Sequence, residues 1–161
     1  MLRVAVVALV ASLGTCSAAL AQSADDPSLG AWKLNVAKST YTGMAPNKSD
    51  TRSYEFVDGW LVVTTETVNG AGNRSGVRFA AKFDGREYQQ VGRFAPTVAL
   101  ITYKPINKFT LQYTVRTTAG KLDSTSTRTV SADGKTMTIE QTSTDATGKP
   151  VSYVQVWDKQ P

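Results

Sequence analysis

The sequence predicts an all-β chain: an antiparallel up-and-down meander that closes into a barrel of about 8–10 strands. A two-sheet sandwich is the other arrangement the pattern allows. Three observations carry this. From Gly30 onward, short segments rich in Val, Thr, Tyr and Phe alternate apolar with polar residues, the period of a half-buried strand. Asp-Gly dipeptides recur between them at Asp58-Gly59, Asp84-Gly85 and Asp133-Gly134. They suit type I′ hairpin turns, in which both central residues take positive φ. Beyond the N-terminal segment no stretch shows helical periodicity, and a meander this long removes its edges most readily by closing.

The first 21 residues are set apart from the fold. Met1-Leu2-Arg3 is a short positive start, Val4 to Leu13 is an apolar run too short to span a bilayer, and Ala19-Leu20-Ala21 is a small-x-small cleavage site. Residues 1–21 therefore read as a signal peptide, and 22–161 as one exported domain, periplasmic or secreted. An alternative is a lipoprotein anchored through Cys16, since Leu13-Gly14-Thr15-Cys16 loosely matches a lipobox, although Thr15 fits poorly. Cleavage after Ala21 leaves 140 residues, the size of one domain, and removes the only cysteine. No other apolar run is long enough to cross a membrane.

The expected strands are 31–36, 50–57, 60–68, 76–83, 86–91, 97–103, 108–116, 121–130, 135–143 and 150–157. Residues 37–49, polar and carrying Gly43 and Pro46, are expected to be a connector. Turn positions assign faces, because a one-residue slip would invert every side chain. Asp58-Gly59 sets Tyr54 and Phe56 on one face with Leu61 and Val63. Asp84-Gly85 sets Val77, Phe79, Ala81 and Phe83 with Tyr88 and Gln90. Asp133-Gly134 places Arg128 opposite Ile139 and Val130 opposite Met137, so a charge lands among apolar residues. In 108–116, Phe109, Leu111, Tyr113 and Val115 alternate with polar residues.

Composition excludes much chemistry. The chain has no histidine, which removes the commonest general base and metal ligand and every Ser-His or Cys-His pair. Without mature cysteine, transition metals lack good ligands, so no metal and no cofactor is expected. The net charge of +5 falls to +4 once Arg3 is lost, and it is scattered rather than clustered; nucleic acid is not an expected partner. Glu55, Glu66, Glu87 and Glu140 fall on outward faces, so no carboxylate pair forms for glycosidase-type work. Gly70 to Gly76 has the wrong spacing for a dinucleotide loop and leads into a strand.

"GAWKLNVAKSTY", "KFDGREYQQVG", "SADGKTMTIEQTSTDATGKPV" and "VWDKQ", with the meander, resemble the lipocalin-like (calycin) barrels, in particular small exported bacterial proteins of that kind. The resemblance implies a lipocalin or fatty-acid-binding-protein-like barrel whose first-strand Trp32 plugs one end, Gly30 permitting close chain approach. The other reading of Trp32 is a half-buried strand tryptophan. Two departures matter: residues 37–49 are too short and polar for a helical lid, and the last strand reads Gln155-Val156-Trp157 where fatty-acid-binding proteins carry Arg-x-Tyr. The 145–148 loop leaves that strand's register open, Val154 and Val156 being the alternative inward pair. Arg128 is then either a contact for a ligand's polar head or anion, or a structural arginine, stacked over Trp32 or satisfied by Glu and backbone carbonyls.

The expected function is non-enzymatic binding of one small apolar or amphipathic molecule inside the barrel, against Tyr54, Phe56, Phe79, Tyr88, Phe109, Leu111, Arg128 and Met137. No catalytic constellation is recognisable. The alternatives are a structural or protein-interaction barrel of the cell envelope with a filled core, and, further off, a barrel enzyme using Tyr and Arg.

Overall fold

The computed structural model describes residues 24–161; the signal-peptide reading and the alternative at Cys16 lie outside the described residues. The strands are β1 (Gly30–Thr42), β2 (Ser49–Val57), β3 (Trp60–Val68), β4 (Arg74–Ser75), β5 (Val77–Ala81), β6 (Glu87–Gly92), β7 (Val98–Pro105), β8 (Thr110–Thr117), β9 (Leu122–Val130), β10 (Thr136–Thr144) and β11 (Pro150–Lys159). All pairings are antiparallel. β3 reaches past the two-residue β4 to pair with β5, and β1 returns to β11. The result is a closed ten-strand up-and-down barrel with β4 as an extra strand, and no helix among the described residues. Closure pairs the ladder edges that an open sheet would expose.

The hairpin registers follow from the turns. Tyr54 faces Val63 and Phe56 faces Leu61; Ile139 faces Arg128 and Met137 faces Val130. The turns themselves differ from expectation. Only Asp58-Gly59 has positive φ at both residues, 49° and 80°, as type I′ requires. At the other two sites glycine alone is left-handed, while the aspartate carboxylate accepts from the N–H two residues on, at 3.1 Å for Arg86 and 3.0 Å for Lys135. A short carboxylate offers this local bond without positive φ, and the register is unchanged.

Three stretches depart from the expected strands. β1 continues to Thr42, through residues expected to be connector. Its ladder with β11 breaks between Asn35 and Thr40, where the Ser39 hydroxyl accepts from the Val156 N–H at 3.0 Å and donates to the Asn35 carbonyl at 2.8 Å. A polar bulge thus replaces the missing backbone bonds. The β5–β6 ladder makes only two residue pairs before it opens, and Phe83 and Tyr88 pack against the core there. In β11, Gln155 faces Ile139 and Trp157 faces Met137; both are buried and Val154 is exposed, so Gln155 and Trp157 are the inward pair. At the β4–β5 junction a Cβ on Gly76 would lie 2.2 Å from the Thr65 carbonyl oxygen, so only glycine fits.

One barrel end is closed and packed. Trp32, Trp157, Leu61, Met137 and Ile139 are at most 1% exposed, each large apolar side chain contributing roughly 1.5–3 kcal/mol on burial. Residues 24–29 cross this end. There the Trp32 indole N–H donates to the Ser28 carbonyl at 2.7 Å, and the Asp26 carboxylate accepts from the Ser28 N–H and hydroxyl. Gly30 is required by its φ of 109°; a Cβ there would meet only the flexible Lys159 side chain. The other end gathers the loops 43–48, 69–73, 93–97, 118–121 and 145–149 and forms a mouth. Three of these repeat one five-residue turn, in which Gly72, Gly120 and Gly148 donate back to Asn69, Thr117 and Asp145 at 2.9, 2.9 and 3.0 Å.

Candidate functional site

The half of the lumen toward the mouth holds a cavity of about 170 Å³, lined by Arg52, Tyr54, Val63, Thr65, Val77, Phe79, Gln90, Ile101, Tyr103, Tyr113, Val115, Gln141 and Tyr153. The alternation of β2 builds its floor: Arg52 and Tyr54 are two residues apart and share the inward face. The register with β3 brings Val63 beside them, and β7, β8 and β11 bring the tyrosines. Phe79, Tyr103 and Tyr113 form a run of ring contacts with centroids 6.3 and 5.6 Å apart. On the other wall the Tyr153 hydroxyl donates to the Gln141 side-chain oxygen at 2.8 Å, which also accepts from Ser126 at 3.1 Å. The wall is therefore aromatic with hydroxyl and amide groups along it, where a mainly apolar lining was expected.

Charge collects below the tyrosines. The Arg52 guanidinium carbon lies over the Trp157 ring, 3.9 Å from its centroid. One terminal nitrogen donates to the Tyr54 hydroxyl at 3.4 Å, the other stands 3.8 Å from Asp50, and Nε is buried with no acceptor. Asp50 accepts from Thr67 at 2.8 Å through one oxygen, while its other oxygen is unpaired. Arg128 lies over the Tyr54 ring at 4.7 Å and 3.8 Å from Asp26, with one terminal nitrogen unpaired. Orphaned buried polar atoms are rare and costly, and here Asp50, Arg52 and Arg128 each carry one.

The titration directions follow this layout. Burial pushes Tyr54 up, but the guanidiniums of Arg52 and Arg128 outweigh it and hold the hydroxyl below the usual phenol range. Burial raises Tyr103, Tyr113 and Tyr153. It also raises Asp50, against the opposing pull of Arg52.

The residues expected to line one pocket are divided among several places. Tyr54 and Phe79 line the cavity. Met137 and Leu111 are packed in the core, Met137 fully enclosed. Phe56 is half-buried toward the closed end, and Tyr88 fills the β5–β6 opening, its hydroxyl on Asp84 at 2.8 Å and its ring edge on Trp60. Phe109 is on the outside, 37% exposed. The Asn107 side chain accepts from the Phe109 and Thr110 N–H groups, so this residue belongs to a turn and the strand alternation starts after it. Arg128 is buried as expected, but its neighbours are Asp26 and the Tyr54 ring in place of Trp32, and one terminal nitrogen stays unpaired. The space beside it is about 20 Å³, room for little more than a water. The residues missed are Arg52, Tyr103, Tyr113 and Tyr153. Extending the β2 alternation two residues back from Tyr54 reaches Arg52, and four back reaches Asp50.

A larger depression of about 280 Å³ lies on the outer face of β1–β3 beside Lys33, Thr51, Thr64 and Glu66. Arg52 lines this depression as well as the lumen, but only the lumen adds the rings of Phe79, Tyr103 and Tyr113, so the lumen is the stronger candidate. No protein-family model matches this chain, and neither does any curated protein.

Proposed function

We propose that this chain is an exported, non-enzymatic, lipocalin-like binding protein that holds one small amphipathic molecule in the mouth half of its barrel. The observation that carries the reading is the cavity: about 170 Å³, reached from one end and backed by a packed layer at the other. An apolar cavity of roughly 150 Å³ is enough to admit benzene, so the volume suits a single ring with a head group. Phe79, Ile101 and the tyrosine rings supply a body site; the hydroxyls, Gln141 and Arg52 supply polar partners. Native mass spectrometry of the protein purified from its own envelope tests this. A single co-purifying small molecule is expected, together with millimolar or tighter binding of benzamide to the emptied protein, read by amide chemical shifts at the lining residues. A protein that carries nothing and leaves those shifts unmoved by benzamide and benzoate alike would sink the reading, in favour of a filled envelope barrel working through its surface.

A further inference from the structure

We infer that the ligand is a small organic anion, with its charged oxygens set against Arg52 and its ring among Phe79, Tyr103 and Tyr113; this rests on the lumen being a binding site.

The cavity floor holds a permanent cation that the protein leaves incompletely neutralised. The Arg52 side chain is 12% exposed and lines the cavity, yet its Nε finds no acceptor. Its acidic neighbour stands at 3.8 Å, beyond hydrogen-bond distance, and one oxygen of that carboxylate is taken by Thr67. The second buried guanidinium, Arg128, lies over the Tyr54 ring. Its own acid, Asp26, is turned to Ser28 at the closed end. The acids match the arginines in number, but neither sits between Arg52 and the cavity. With Arg52 and Arg128 both against Tyr54 and no acid lining the cavity, the floor is positive.

A guanidinium in this state recognises an ionised acceptor better than a neutral one. Charge-assisted hydrogen bonds to carboxylate are about twice as strong as neutral ones, and a planar fork donates to two oxygens together. The contact with the Trp157 ring, 3.9 Å from centroid to guanidinium carbon, holds that fork in place before a ligand arrives, which lowers the ordering cost of binding. The rings above the floor offer edge and face contacts to an aromatic or similarly flat body.

The test compares benzoate with benzamide, which share a shape and differ in charge. Affinities come from chemical-shift titration of the intact protein, and the Arg52 Nε–H cross-peak is followed in the same spectra. Benzoate should bind at least tenfold more tightly and move the Arg52 Nε–H signal downfield, while benzamide leaves that signal in place. In Arg52→Gln and Arg52→Lys the benzoate-to-benzamide ratio should fall toward one; if either variant fails to fold, the cross-peak in the unmutated protein still decides. Equal affinities, or tighter benzoate binding with the Arg52 signal unmoved, would overturn the anion assignment and leave the lumen standing as a binding site. Failure of both probes would remove the lumen as a binding site.

Discussion

Replacing Trp32 by alanine tests whether the closed end holds the barrel together. The side chain is 1% exposed, its N–H donates to the Ser28 carbonyl, and Lys159 lies 5.3 Å from its ring centroid. Truncating a buried tryptophan costs about 3–5 kcal/mol. Losing the hydrogen bond adds about 1 kcal/mol, and losing the exposed cation over the ring about 0.5 kcal/mol. The expected loss is near 5 kcal/mol, a third to all of an ordinary domain's stability. With a urea slope of about 2 kcal/mol per molar, the midpoint falls by about 2–3 M, or the protein is unfolded in buffer. Trp32→Phe keeps the ring but frees the Ser28 carbonyl, so its midpoint should fall by less than half as much. The melts are followed by circular dichroism, because the mutation removes a fluorophore. A midpoint lowered by under about 0.5 M in Trp32→Ala would refute the role of this residue as the plug.

Asp26 and Arg128 should be coupled. A double-mutant cycle on Asp26→Asn and Arg128→Met, read by urea melts, is expected to give an interaction of about 1–2 kcal/mol, and additivity within about 0.3 kcal/mol would show that the 3.8 Å pair contributes nothing. Asp50 predicts a pH dependence. Its carboxyl is raised above 3.8 chiefly by burial, so the folded protein holds that proton more tightly than the unfolded chain does. The stability it contributes is fully present below the unfolded value and falls as pH rises through the raised folded value. Relative to wild type, Asp50→Asn should therefore gain stability as pH rises above about 4; a difference independent of pH would contradict the burial of an ionisable carboxyl there.

Much of the barrel is written locally. A hairpin register depends on a turn of a few residues and a period of two, so Asp58-Gly59 was enough to place Tyr54 opposite Val63 and Phe56 opposite Leu61. The same reasoning put Arg128 opposite Ile139 and kept Glu55, Glu87 and Glu140 exposed. Local reasoning failed where the partner is distant in the chain. The continuation of β1 to Thr42 is supported by β11, and the bulge that permits it is completed by a bond from Val156 to Ser39 across 117 positions. It also failed at Phe109, where a side-chain-capped turn interrupts the period.

The sequence by itself determined the class, the meander and most inward faces, those of β11 and Phe109 excepted, because backbone hydrogen bonding and side-chain alternation act over a few residues. Tertiary structure alone decided which inward residues bound empty space. A cavity is what remains after side chains from all ten strands have filled the lumen, so it depends on closure, on the closed end being packed by Trp32 and Trp157, and on the ring positions of Tyr103, Tyr113 and Tyr153. The same holds for Arg52 and Arg128. Alternation puts both inside, but only the packed barrel gives Arg128 an acid and almost no adjoining space, and leaves Arg52 against a cavity with an unpaired nitrogen.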